Sequence, residues 1–137
     1  MSPIPLSRIR VRSARILVVE DDVSSAECLA EVLAAEGHAV AVALDAYEAL
    51  ASVEDFTPDV AIIDIGLPRV SGIQVAAALR TIARLSDCRY VALTGYTGED
   101  IARAIAAARF DVHMTKPMNV ERLLSIVANT ARERRAG

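Results

Sequence analysis

The sequence has 137 residues, of which 53% are apolar and 24% charged, and a formal net charge of −3. That length fits one domain able to bury roughly two-thirds of its unfolded surface without disulfides or metals, and the apolar content excludes an intrinsically disordered chain. Fourteen of the 15 cationic residues are Arg and Lys116 is the only lysine, so that residue needs an explanation that a general surface preference does not supply.

In chain order, short apolar runs alternate with helix-like segments. Ile16–Val19 is a β-branched-rich run, the mark of a strand buried on both faces. Val23 to Glu36 follows at helical spacing and is closed by Gly37, a fitting residue just past a helix end. Ala39 to Leu44 is a second strand, and Asp45 with Glu48 resembles a capping box opening a helix to about Val53. Val60–Ile63 is a third strand. Ser71 and Gln74 form a capping box for a helix predicted to about Leu85. Tyr90–Leu93 is a fourth strand, and Thr97 with Asp100 opens an Ala-rich helix to about Arg109. Asp111 to Thr115 is a fifth strand, and Asn119 caps a last helix to about Arg134. Five strands alternating with five helices call for an α/β fold with a parallel sheet covered on both faces, a doubly wound (βα)5 arrangement. Ligands of such sheets bind beyond the carboxyl ends of the strands.

Charge is unevenly distributed. Residues 1–15 carry four Arg and no acid, the last eight carry +2, and the body between them carries −9. An acidic body argues against nucleic acid as the main ligand, because phosphate contacts dominate that affinity. The basic ends read as solvated tails, or as a docking arm for an acidic partner. No apolar run approaches the roughly 18 residues of a membrane span. The opening segment lacks a signal-peptide core, so Cys28 and Cys88 are expected as reduced thiols in a cytoplasmic protein.

Reactive side chains gather at four strand ends. Glu20-Asp21-Asp22 follow the first strand, Asp64 ends the third, Thr94 the fourth, and Lys116-Pro117 the fifth, while the second ends in Ala43-Leu44. With the second strand at the sheet edge, the other four ends form one crevice. Clustered carboxylates there call for a cation. Oxygen ligands select a hard ion such as Mg2+, which keeps waters and completes its shell with a phosphate. A carboxylate can also act as a nucleophile toward phosphorus, with Lys116 and Thr94 each holding a phosphoryl oxygen. One compact ammonium suits one oxygen better than the two-pronged guanidinium of Arg. Singly, the residues have plainer readings: Asp22 as a helix cap, Asp64 as a turn residue before Gly66 and Pro68, and Thr94-Gly95 as turn chemistry.

Together, ILVVEDD at 16–22, DIGLPRVSG at 64–72, LTG at 93–95 and KP at 116–117 resemble the receiver domain of two-component response regulators, over about residues 14–132. The resemblance implies a flavodoxin-like strand order 2-1-3-4-5, flanked here by a basic arm at 1–13 and a tail at 133–137. It implies phosphorylation of Asp64 by a sensor histidine kinase or a histidine phosphotransfer protein, with Mg2+ or Mn2+ held by Glu20, Asp21, Asp64 and the Gly66 carbonyl. Thr94 and Lys116 become the switch hydroxyl and the phosphoryl-binding lysine, and Lys116-Pro117 a candidate cis bond. Three residues before the lysine the family commonly has Tyr or Phe, whereas this chain has His113, a smaller ring. Output is expected through the face of the fourth helix, fifth strand and fifth helix, which carries Arg103, Arg109 and Arg122. With only about five residues after the receiver-like segment, a stand-alone signalling module is expected rather than an enzyme. Arg69 is an exposed neighbour of Asp64, and His38 a strand-start residue with no chemistry. Two other readings stay open: a constitutive interaction module, and an aspartyl-phosphate phosphohydrolase. The second wants a further acid two residues after Asp64, where Gly66 stands. A dinucleotide fold is disfavoured, since no GxGxxG follows the first strand.

Overall fold

A computed structural model describes residues 13–136, with side chains through Ala131; all of the expected basic arm except Ser13 lies outside the described residues. The elements are β1 (Arg15–Val19), α1 (Val23–Ala35), β2 (Ala39–Ala43), α2 (Ala46–Ser52), β3 (Val60–Asp64), α3 (Gly72–Arg80), a 3-10 turn (Ala83–Leu85), β4 (Arg89–Thr94), α4 (Glu99–Ala107), β5 (Val112–Thr115) and α5 (Val120–Ala136). All strand pairs are parallel, in the order β2-β1-β3-β4-β5. The expected fold class and strand order are therefore those observed, and α5 continues to Ala136, into the expected 133–137 tail.

Strand alternation divides the core. Ile16, Val18, Val60, Ile62, Val91 and Leu93 face one side, where Leu29 and Leu33 of α1 and Leu123 and Val127 of α5 cover them. Leu17, Val19, Ala61, Ile63 and Tyr90 face the other, under Ala49 of α2 and Val75, Ala76 and Leu79 of α3. Ile105 of α4 closes that side over Ala92 and Ile65. Each fully buried Val, Leu or Ile contributes about 1.5–3 kcal/mol, and every residue of central β3 is buried. Asp64 is thus carried on the most tightly enclosed strand of the sheet.

Local chemistry sets the helix ends, and three differ from expectation. Asp45 caps α2 through the Glu48 amide at 2.8 Å, but Glu48 accepts from the Leu44 N–H, one residue beyond a true box. Ser71 and Gln74 do form a reciprocal capping box. The helix they open stops at Arg80, short of Leu85. The Thr81 hydroxyl donates to the Ala78 carbonyl at 2.6 Å and Ile82 is extended. The Arg80 guanidinium lies 4.0 Å over the Tyr90 ring and bonds the Arg109 carbonyl, so long-range contacts finish this helix. The fourth helix begins after Gly98, at φ 142, rather than at Thr97. Asn119 caps α5 by accepting the Arg122 amide, as expected.

Gly72 is the tightest point of contact between α3 and the site. A Cβ there would lie 2.3 Å from the Asp64 carbonyl oxygen and 2.8 Å from Ile63 Cγ2, and neither can yield cheaply. Gly95 has nothing within 4 Å. Gly72→Ala is expected to cost about 2–3 kcal/mol of unfolding free energy and Gly95→Ala less than about 0.5 kcal/mol. Urea denaturation followed by circular dichroism checks both, and equal costs would contradict this account of the contact.

Candidate functional site

The sheet order brings the ends of β1, β3, β4 and β5 side by side, with β2 at the edge. Glu20, just past β1, is 4% exposed, Asp64 at the end of β3 is 6% exposed and Thr94 at the end of β4 is fully buried. Asp21 is exposed. Lys116 follows β5, and its backbone N–H donates to the Thr94 carbonyl at 2.8 Å, which aims its side chain across the strand ends. The Lys116-Pro117 bond is cis.

Lys116 links the cluster. Its Nζ donates to Glu20 Oε1 at 2.8 Å and to Asp64 Oδ2 at 3.2 Å. The other oxygens have backbone donors: Glu20 Oε2 accepts the Asp22 amide at 3.2 Å, and Asp64 Oδ1 accepts the Gly66 amide at 2.9 Å. Glu20, Asp21 and Asp64 each offer an oxygen within 4.8 Å of the others. Two nearly buried carboxylates are thus balanced by a single ammonium, an oxygen-only set that suits a hard divalent cation.

The electrostatics record that strain. Burial pushes the Glu20 carboxyl above its ordinary value, and the Lys116 hydrogen bond does not fully offset it. Burial alone would lower Lys116, but its bond to Glu20 and the charge of Asp64 outweigh burial and raise it. Asp22 stands apart. It caps α1 by accepting the Ser25 amide, and bonds from Ser25 lower its pKa.

Not every expected site residue joins the cluster. The Thr94 hydroxyl accepts the Tyr96 amide at 3.0 Å, so its own loop engages it. A Cβ on Gly66 would stand 3.6 Å from Asp64 Oδ1 and 3.8 Å from Tyr96 Cε2, so Gly66 lies beside the carboxylate and the Tyr96 ring lies against Gly66. His113 pairs in register with Ala92, on the α4 side of the sheet, and its buried Nε2 has no partner among the described residues. Arg69 is exposed at φ 69, in a turn closed by the Val70 amide on the Pro68 carbonyl at 2.7 Å. His38 is not idle: its Nδ1 accepts the Ala14 amide at 3.0 Å. Beside Lys116 lies an apolar groove of about 420 Å3 with no counterpart among the sequence expectations, lined by Ser24, Cys28, Leu29, Val32 and Met118. The signal for it was the exposed position of Cys28, one residue off the buried Leu29–Leu33 stripe of α1.

The model of the response regulator receiver domain matches residues 16–128. This chain belongs to the response regulator receiver family. It is 31% identical over 112 residues to a 14.6 kDa protein of Leptolyngbya boryana, covering 82% of this chain and 86% of that one. To the DNA-binding response regulator MtrA of Mycobacterium leprae it is 38% identical over 114 residues, covering 82% of this chain and 49% of MtrA. The receiver thus spans about half the length of that relative. A CheY-like response regulator receiver domain protein from Methanospirillum hungatei superposes with a TM-score of 0.81 at 27% identity, covering 91% of this chain and 99% of that one. Receivers are the phosphoacceptors of two-component signalling, bind Mg2+ at an acidic pocket, and interact with histidine kinases and phosphotransfer proteins. No described helix is long and apolar enough to cross a membrane.

A carboxyl whose pKa is raised in the folded state destabilises the fold when ionised. That penalty is present above the raised pKa and vanishes as pH falls through it. Glu20→Gln is therefore expected to raise the urea midpoint at about pH 7.5 without divalent metal, with the gain shrinking toward about pH 4.5. A lowered midpoint at neutral pH would show that Glu20 is stabilising as the anion.

Proposed function

We propose that this receiver (residues 14–132, flanked by the 1–13 arm and by the 133–137 segment into which α5 continues) accepts a phosphoryl group on Asp64 from the phosphohistidine of a sensor histidine kinase or a histidine phosphotransfer protein. The observation that carries the reading is Lys116 Nζ held between Glu20 and Asp64 at 2.8 and 3.2 Å, beside the oxygens of Asp21. In the transfer an Asp64 carboxylate oxygen bonds to phosphorus, the P–N bond of the donor breaks, and the electron pair leaves on the imidazole. The acceptor oxygen needs no deprotonation, because Asp64 works as the carboxylate.

Glu20, Asp21, Asp64 and the Gly66 carbonyl are the groups that would hold Mg2+ or Mn2+, and the ion would supply charge neutralisation for the incoming phosphoryl oxygens. Lys116 neutralises another oxygen, exchanging one of its two carboxylate contacts for it. The Thr94 hydroxyl leaves the Tyr96 amide to donate to a third, and the loop it closes moves with it. His113 lies next in line toward α4, and we assign it as the side chain that repacks when Thr94 moves. The output surface is then α4–β5–α5, where Arg109 and Arg122 are exposed and Arg103 pairs with Asp100 at 2.7 Å, a surface contact worth little. The phosphohydrolase reading is not favoured, because Gly66 occupies the position where a proton donor is needed.

Incubation with acetyl phosphate and Mg2+ is expected to add about 80 Da to the intact protein and nothing to Asp64→Asn. The His113 ring resonances are expected to shift in the phosphorylated parent. An adduct that survives Asp64→Asn refutes the assignment of the acceptor, and unmoved His113 resonances remove that residue from the switch.

A further inference from the structure

The entrance to β1 is clasped from both sides. Toward β3, the Arg15 amide donates to Asp59 Oδ2 at 2.8 Å and the Arg15 carbonyl accepts the Asp59 amide at 2.7 Å. Toward β2, the Ala14 carbonyl accepts the Ala39 amide at 3.0 Å and the Ala14 amide donates to His38 Nδ1 at 3.0 Å. The register that pairs Arg15 with Ala39 would offer Ala14 the Gly37 carbonyl as its acceptor. Gly37, at φ 95, turns the chain out of the strand there. The imidazole of His38 stands in for the missing carbonyl and supplies the last rung of the β1–β2 ladder.

A ring nitrogen is not equivalent to a carbonyl. Nδ1 accepts only while the ring is neutral, with its proton on Nε2. Once Nδ1 is protonated the ring has two donors, and the Ala14 N–H meets another N–H. Ala14 is 1% exposed, so its amide has no ready access to water as a replacement. Immediately upstream lies the segment 1–12, with Arg8, Arg10, Arg12 and no acid. We propose that His38 is a proton-operated latch at the root of this basic arm: neutral, it ties Ala14 into the sheet, and protonated, it opens that rung and frees the root for an acidic partner.

The surroundings set the working range. Burial holds the His38 pKa below its ordinary value, and the Glu36 carboxylate at the end of α1 pulls the other way. On β1 the one charged neighbour, Arg15, is turned toward β3, with its Nε on the Thr57 carbonyl at 3.2 Å and its guanidinium 4.4 Å over the Phe56 ring. β2 carries no titratable side chain. A histidine with a depressed folded pKa contributes its bond fully above its ordinary value of about 6.5, and loses it as pH falls below that through the depressed pKa. The latch is therefore closed at neutral pH and opens on acidification.

Hydrogen exchange of the full 137-residue chain, read amide by amide by NMR, tests this. Protection of the Ala14 amide, relative to the free-chain rate at each pH, is expected to fall about tenfold or more between about pH 7.5 and about pH 5. The Arg15 amide, held by Asp59, keeps its protection, and the Ser13 amide gains mobility in the same step. In His38→Gln, whose side-chain carbonyl accepts the same N–H without titrating, Ala14 protection is expected to stay flat. Flat protection in the parent overturns the latch, as does an equal fall in His38→Gln.

Discussion

One ammonium shared between two nearly buried carboxylates is the constraint on which the rest of the site depends. Glu20 and Asp64 come from different strands and would repel each other without Lys116. A buried ion pair is weak support for stability, because desolvation offsets most of its attraction. The raised Glu20 pKa shows the same imbalance. Such a site gains from any additional positive charge and, in the proposed transfer, from a phosphoryl group that gives Lys116 a new oxygen to hold. The parallel sheet makes this possible at little local cost, since the backbone of β3 is enclosed on both sides while its last side chain opens onto the crevice.

The same geometry explains the choice of lysine in a chain otherwise supplied with arginine. Nζ reaches oxygens of two carboxylates through a flexible stem, and in the proposed transfer it gives up one for a phosphoryl oxygen without reorienting a plane. An arginine fork would lock onto one carboxylate. Gly72 adds a second constraint. It lets α3 begin in contact with the Asp64 backbone, so the strand end cannot shift without moving the helix.

Much of this was legible in the sequence, for identifiable reasons. Strands buried on both faces leave continuous apolar runs, and Ile16–Val19 and Val60–Ile63 announce themselves that way. Caps formed within a few residues, such as Ser71 with Gln74 and Asn119 with Arg122, are equally readable. The convergence of Glu20, Asp21, Asp64 and Lys116 follows once the strand ends are aligned. What depended on distant contacts was not legible. The stop of α3 at Arg80 involves Tyr90 and the Arg109 carbonyl. The hydrogen bond of His38 to Ala14 spans 24 residues, and nothing local distinguishes that histidine from an idle one. The direction of the Thr94 hydroxyl is set by a loop amide rather than by the strand that carries it.

The lone lysine can be observed directly, because Nζ labelling with 15N yields one side-chain ammonium signal. That signal should be followed in the parent and in Asp64→Asn as Mg2+ and then beryllofluoride, a phosphoryl mimic, are added. Transfer of Lys116 from a carboxylate to the new acceptor predicts a distinct shift in the parent only when both are present, and no such shift in Asp64→Asn. A parent signal that stays at its metal-only position under saturating mimic would contradict it.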